Sequence, residues 1–207
     1  MKIIVGILIG LLPFYCKSQD EGCNRSTKLK SLSKRIPKGV CLKVGLEFSY
    51  VYEDVDLNGD GLKDFITQVR PKNIRDGDTL LLHIYFQSKN GQYSTLKVFN
   101  NIYPTYFKDY SLGYTVTNPR LNELQGKFGG TYPLGEIEFH ENLIVINLKP
   151  GAIDHYALYY RFNKQDWYLE RKIYSEENSE GVRQELANEY SWEKKISLSQ
   201  FNYFDYL

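Results

Sequence analysis

The sequence predicts a mainly β protein, an antiparallel and sandwich-like meander of strands with one short N-terminal helix. Its 207 residues include 18 tyrosines and 11 phenylalanines but a single methionine, and aromatic side chains favour half-buried, pleated strands. Short runs of alternating apolar residues are separated by turn residues such as Asn90-Gly91, as in successive hairpins. We therefore expect one β-domain over residues 44–207, preceded by a short segment at 19–43.

The predicted elements follow from local pattern. A helix is expected at 26–35, where Ser26 is a candidate N-cap and Leu29 and Leu32 are three residues apart. The near-continuous apolar run at 80–86 indicates a central strand, because such strands are buried on both faces. Strands are predicted at 44–52, 65–69, 80–86, 93–99, 135–139, 143–148, 156–162, 167–174 and 196–201.

Two segments have no clear periodic pattern of apolar residues. Residues 100–133 are rich in proline, glycine and aromatic side chains, and long loops of this kind often carry function. Residues 175–190 are polar and are predicted to form either a mobile loop or an exposed helix. Only one acidic loop is evident, so the sequence does not indicate an array of repeats or a complete propeller.

Residues 1–18 have the organisation of a cleaved signal peptide. Lys2 precedes an apolar run at 3–14, and small residues precede Gln19. The run is shorter than the roughly 20 residues that span a bilayer, so we expect a periplasmic or secreted protein with no transmembrane segment in the mature chain. The alternative is a lipid anchor through Cys16, although Phe14 and Tyr15 are bulkier than the residues that usually precede a lipidated cysteine.

Cleavage after Ser18 would leave two cysteines, Cys23 and Cys41. An even pair in an oxidising compartment predicts one disulfide, and two separate buried thiols are the alternative. The formal net charge of +1 argues against a nucleic-acid partner, because such surfaces are strongly basic.

The most specific motif is the acidic loop, residues 54–64. Its oxygen-bearing side chains fall at alternate positions, so a tightly curled segment can direct them at one hard cation. Gly61 stands at the sharp turn, where a side chain would clash. The predicted ligands are Asp54, Asp56, Asn58, Asp60, the backbone carbonyl of Leu62, and Asp64 either directly or through water. The predicted ion is calcium, and the alternative is a polar hairpin turn without metal.

The loop is not an EF-hand. Counted from Asp56, loop positions 1, 3, 5, 6 and 9 match that motif, but position 12 falls on Thr67, which lacks the bidentate carboxylate. A strand-like run also follows, where an EF-hand has a helix. The loop instead resembles the calcium loops of FG-GAP and VCBS-type repeats, whose core is matched by Asp56, Asn58, Asp60, Gly61 and Asp64. Asp54 lies one step outside that core.

Between residues 36 and 173 the chain also resembles a group of uncharacterised exported bacterial β-proteins. It departs from that group at 149–152, where Lys-Pro-Gly-Ala replaces a tryptophan-rich segment. The resemblance implies a β fold and export, and it implies no activity. The matching segments are 56–61, 128–130, 134–137 and 166–169.

The sequence gives little support for an enzymatic function. His83, His140 and His155 do not have a two-histidine metal spacing or a nucleophile motif nearby. Glu136 and Glu138 share a strand face, but they are expected to form its solvated side.

We therefore expect a calcium-stabilised binding or interaction module with a protein or glycan partner. The alternatives are an inhibitor or immunity-type protein that uses the 100–133 loop against an exported toxin or hydrolase, and a polysaccharide hydrolase that uses the two glutamates. The sequence does not indicate the oligomeric state.

Overall fold

The structure, a computed structural model, describes residues 23–52, 54–73, 79–103, 107–110, 113–116, 134–150, 153–190 and 195–206. Residues 1–18, with the predicted signal peptide and Cys16, lie outside the described residues. The elements in chain order are α1 Lys30–Ser33, β1 Leu46–Val51, β2 Phe65–Pro71, β3 Leu81–Gln87, β4 Tyr93–Phe99, β5 Phe107–Tyr110, β6 Gly113–Val116, β7 Leu134–His140, β8 Leu143–Leu148, β9 Asp154–Asn163, β10 Asp166–Glu177 and β11 Arg183–Tyr190.

The protein is mainly β, with two antiparallel sheets that follow chain order. The first sheet has the strand order β1-β2-β3-β4, and the second has the order β11-β10-β9-β8-β7. Strands β5 and β6 form a separate two-stranded hairpin. Sequential antiparallel neighbours require only short connections, so each sheet is a meander. This arrangement confirms the predicted fold class.

The two sheets pack against each other over one hydrophobic cluster. Ile66, Ile84 and Phe99 contribute to it from the first sheet, and Ile144 and Trp167 from the second. Trp167 is fully buried, and its ring lies 5.9 Å from that of Phe86 and 4.9 Å from that of Phe162. Burial of large aromatic surface is the main stabilising contribution at such an interface.

A second cluster lies on the opposite face of the first sheet. Leu32, Ile36 and Leu42 of the N-terminal segment pack there on Phe48 and Phe65. Strand β3 is therefore covered on both sides, since Ile84 belongs to the inter-sheet cluster and Tyr85 to this second one. Residues on alternate faces of a strand explain the continuous apolar run, and they confirm β3 as a central strand.

The N-terminal segment is fixed to the sheet by a disulfide and by backbone bonds. Cys23 and Cys41 are joined, with their Cα atoms 5.0 Å apart. The Leu42 N–H donates to the Asn24 carbonyl at 2.9 Å, and the Phe48 N–H donates to the Ser26 carbonyl at 3.0 Å. The disulfide confirms the predicted pair, and such bonds are typical of a non-reducing compartment.

The predicted helix at 26–35 was too long. Only Lys30–Ser33 is helical, without a side-chain cap at its start. Residues 24 and 27 instead form isolated β-bridges with Leu42 and Phe48. The segment is held by pairing to the sheet rather than by helical propensity, because one helical turn is only marginally stable alone.

The interpretation of residues 175–190 as loop or helix was wrong. Strand β10 continues to Glu177, and β11 pairs with it from Arg183 to Tyr190. Most residues of β11 are exposed, so the strand lacks the alternation on which the prediction depended. Its charged side chains suit an edge strand, where they oppose pairing with another chain.

The strand predicted at 196–201 was also wrong. Leu198–Gln200 is a 3₁₀ turn, in which the Gln200 N–H donates to the Ser197 carbonyl at 2.9 Å. The Gln200 side-chain oxygen accepts from the Ser197 N–H at 3.2 Å. Leu198 is buried against the inter-sheet cluster, and the segment pairs with β10 only at the isolated bridge between Tyr168 and Ser197.

Most of the 100–133 segment lies outside the described residues. Its described part includes the β5–β6 hairpin, which the expectation of an irregular loop missed. Among the described residues, no helix has the length and apolarity needed to cross a membrane.

Candidate functional site

The acidic loop is closed by a β-bridge between Val55 and Asp64. The Asp64 N–H donates to the Val55 carbonyl at 2.9 Å, and the Leu57 N–H donates to Asp64 Oδ2 at 2.8 Å. Leu57 is fully buried in the inter-sheet cluster. The loop therefore has both ends anchored, while its tip faces solvent.

Asp64 is turned into the protein. It is 0% exposed, and its Oδ1 accepts the Gln87 N–H at 3.1 Å, so each oxygen has a backbone donor. Burial raises the pKa of Asp64 to about 6, against the effect of these two donors and with a further increase from Asp60 and Asp56. The carboxylate joins the loop to the end of β3, and its part as a metal ligand stays a prediction.

The Asp56 carboxylate holds the curl of the loop. Its Oδ1 accepts the N–H groups of Gly59 and Asp60 at 2.7 and 3.2 Å, and its Oδ2 accepts the Gly61 N–H at 2.8 Å. Gly59 and Gly61 have positive φ angles of 74° and 83°. The sharp turn at Gly61 is therefore confirmed through its positive φ, but the expected clash is wrong, because a Cβ atom there would meet nothing within 4 Å.

Asn58 and Asp60 meet at the tip. The amide nitrogen of Asn58 lies 3.0 Å from Asp60 Oδ2, and Asp60 Oδ1 accepts the Leu62 N–H at 2.8 Å. Asn58 Oδ1 accepts the Asp60 N–H at 3.0 Å, so the tip is closed by N–H···O hydrogen bonds. Asn58 Oδ1 and the Asp60 carboxylate remain the predicted calcium ligands there.

Asp54 lies apart from this tip. It lines a separate pocket of about 390 Å³ with Arg35 and Lys63. Partial burial of its carboxyl group raises the pKa of Asp54, and the charges of Lys63 and Arg35 oppose this increase. Among the described residues, no three His, Cys, Asp or Glu side chains form a metal-binding group. The predicted cage therefore depends also on the Asn58 amide and on the Leu62 carbonyl.

The loop also contacts the second sheet through Asn142, in the β7–β8 turn. The Asn142 N–H donates to the Asp56 carbonyl at 3.0 Å, and the Asn142 carbonyl accepts the Phe162 N–H at 2.9 Å. Asn142 has a positive φ of 58°. A Cβ atom on Gly59 would lie 2.3 Å from Asn142 Oδ1. The acidic loop is thus a junction between the two sheets.

The histidines occupy three unrelated environments. His83 is buried, and its Nδ1 lies 3.3 Å from the Tyr85 hydroxyl, which donates to the Cys41 carbonyl at 3.0 Å. Burial lowers the pKa of His83 to about 4, with a smaller contribution from Lys43. This chain of contacts ties the N-terminal segment to β3.

His140 lies on the outer side of β7, with its Nε2 3.0 Å from Glu138 Oε2. The amide of Asn147 donates to Glu138 Oε1 at 2.7 Å, and Glu136 is exposed. Ile137 packs inward, so the two glutamates form the solvent-facing side of the strand. This placement offers no support to the hydrolase alternative.

His155 belongs to a cluster that sequence reasoning missed. Glu177 Oε2 lies 3.0 Å from His155 Nε2, 3.6 Å from Arg183 Nε and 4.0 Å from Lys149 Nζ. The neighbouring Asp154 instead accepts from the Tyr174 hydroxyl at 2.8 Å. The pairing of β9, β10 and β11 brings these residues together. Their spacing along the sequence does not predict the cluster.

A pocket beside the acidic loop was also missed. It has a volume of about 650 Å³, and its lining includes Asn58 and Asp60 of the loop, Lys97 of β4 and Lys164 of the β9–β10 turn. These residues are far apart in sequence and come from both sheets. Only the packing of one sheet on the other brings them together.

In comparisons with known proteins, no family model, no curated protein and no solved structure matches the chain significantly. The resemblance of the acidic loop to FG-GAP and VCBS-type loops therefore stays a prediction.

Proposed function

We propose that the protein is an exported β-domain that acts as a binding or interaction module, and that its acidic loop binds one calcium ion. The observation that carries the proposal is the curl of the loop around Asp56, whose carboxylate accepts the N–H groups of Gly59, Asp60 and Gly61 and so holds Asn58 and Asp60 together at the tip. Side-chain oxygens at alternate positions of a tight loop are the ligands that calcium takes.

Repulsion between carboxylates supports the need for a cation. Burial is the main cause of the raised pKa of Asp64, and the charges of Asp60 and Asp56 add a smaller increase. A divalent ion among these groups would reverse that effect, because an opposite charge favours the ionised carboxylate. Calcium would then stabilise the loop electrostatically.

The position of the loop explains why a structural ion would matter. The Asp56 carbonyl, which accepts the Asn142 N–H, and the Asp64 carboxylate, which accepts the Gln87 N–H, connect the loop to both sheets. An ion that fixes the loop would therefore fix the junction between the sheets. Its role would be stability rather than catalysis, because a cage closed by protein oxygens leaves little room for substrate.

Export is supported by the Cys23–Cys41 disulfide together with the sequence pattern of residues 1–18. The partner would be a protein or a glycan outside the cytoplasm.

The test is thermal unfolding in calcium and in the chelator EGTA. At an ion concentration of about 100 times the dissociation constant, calcium adds ~2.7 kcal/mol, which raises the Tm of a chain of this size by about 5–10 °C. The double variant Asp56→Asn with Asp60→Asn should show no difference between the two buffers. A matched control, Glu180→Gln with Glu185→Gln, removes two exposed carboxylates elsewhere and should keep the full difference. Identical wild-type melting in both buffers would refute the proposal.

A further inference from the structure

We propose that the pocket beside the acidic loop binds an acidic oligosaccharide, a short chain of sugar rings that carries a uronic-acid carboxylate. The pocket volume of about 650 Å³ lies within the range of small-molecule sites, about 300–1,000 Å³. The inference rests on the binding role proposed above, for which it names a ligand class, and it does not require calcium.

The floor of the pocket is aromatic and rigid. Phe86 and Phe162 line it, with their ring centroids 6.0 Å apart. Both rings pack on Trp167, which is fully buried between the sheets. The apolar face of a pyranose ring can lie on such an aromatic surface. Because the floor keeps its shape without a ligand, binding requires little ordering of these side chains.

Two lysines from different sheets supply positive charge. Lys97 comes from β4 of the first sheet, and Lys164 comes from the β9–β10 turn of the second. Within the described part of the chain, neither ammonium group takes part in an ion pair. Both cations are therefore free to bind an anion.

The charge balance favours one carboxylate over a phosphate. Asp60 also lines the pocket, so without calcium two lysines and one carboxylate leave a single net positive charge. A uronate carries one negative charge, whereas a phosphate monoester carries about −1.5 to −2 near neutral pH. Gln165 adds an amide group that can both donate to and accept from sugar hydroxyls. An acidic sugar matches all of these features.

The experiment is calorimetric titration of the purified protein with a trisaccharide that has one uronate residue and two neutral sugars, and with its methyl ester. The ester has the same rings but no charge, so only the acid should bind measurably. Lys97→Gln and Lys164→Gln should each weaken binding roughly tenfold, the usual effect of losing one hydrogen bond to a charged group. Arginine at either position should restore most of the affinity. The control Lys38→Gln removes an exposed lysine from the N-terminal segment, on the opposite face of the first sheet, and should bind like the wild type.

Titrations in calcium and in EGTA separate this inference from the calcium proposal. Trisaccharide binding that depends on both lysines supports the inference in either buffer, even if the ion itself does not bind. Calcium binding without trisaccharide binding would overturn the inference and leave the calcium proposal standing. Equal binding of the acid and the ester, or wild-type affinity in both glutamine variants, would also overturn it.

Discussion

The close approach of Gly59 to Asn142 gives a sharp test of the junction between the two sheets. A Cβ atom at residue 59 would lie 2.3 Å from Asn142 Oδ1 and 3.0 Å from its Cγ and Nδ2. The backbone of Asn142 is held in place, because its N–H and carbonyl bind Asp56 and Phe162, so its side chain has to rotate away. Gly59→Ala should therefore disturb the contact as well as strain the backbone.

Gly61 provides the matched control for this substitution. Its φ of 83° resembles the 74° of Gly59, but a Cβ atom there would meet nothing within 4 Å. Gly61→Ala should cost only the penalty of a left-handed conformation, about 1 kcal/mol. Gly59→Ala should cost that penalty plus about 0.5–1.5 kcal/mol for the displaced Asn142 side chain, or about 1.5–2.5 kcal/mol in total.

The assay is urea unfolding of both variants in EGTA, so that calcium does not enter the comparison. Asn142→Gly removes the obstructing side chain and tolerates the positive φ of residue 142. In that background Gly59→Ala should cost only about 1 kcal/mol, which gives a coupling energy of about 0.5–1.5 kcal/mol between the two positions. Equal destabilisation by Gly59→Ala and Gly61→Ala in the wild-type background would refute the proposed steric contact.

Two further predictions concern the N-terminal segment and its contacts. Burial gives His83 a pKa of about 4 in the folded state, against 6.5 in the unfolded chain. The unfolded state therefore binds the proton more readily. The free energy of unfolding falls by about 3 kcal/mol in total as the pH is lowered through this window. The stability difference between wild type and His83→Gln, measured by urea unfolding from pH 7 to 4, should change by that amount, and a constant difference would contradict it. Removal of the disulfide by Cys23→Ser with Cys41→Ser should lower stability by about 3 kcal/mol, because the bond closes a loop of sequence separation 18. Unchanged unfolding of that double variant would show that the bond contributes nothing.

Strands with a buried face were predictable from the sequence because burial leaves an alternating pattern. Strand β4 begins and ends where the alternation of residues 93–99 places it. The apolar run of β3 was interpreted correctly as a central strand, since Ile84 and Tyr85 pack on opposite sides. Strand β11 carried no such pattern, because it is exposed and is held in place by backbone pairing to β10.

The acidic loop was predictable as a local motif but not in its connections. The spacing along the sequence predicts that Asp56, Asn58 and Asp60 lie on one tightly curled segment. The hydrogen bonds of the Asp56 carboxylate agree with that prediction. Spacing does not reveal that Asp64 turns inward to Gln87, because that contact crosses from the loop to β3. The pocket beside the acidic loop forms only when the two sheets pack together, and no local sequence pattern predicts that packing.

The central claim concerns the ion, and the most direct measurement is the number of calcium ions bound per chain by calorimetric titration. The account predicts one ion for the wild type and none for a folded Asp56→Asn, Asp60→Asn double variant. A wild-type protein that binds no calcium at millimolar concentration, or a double variant that binds it equally well, would contradict the account.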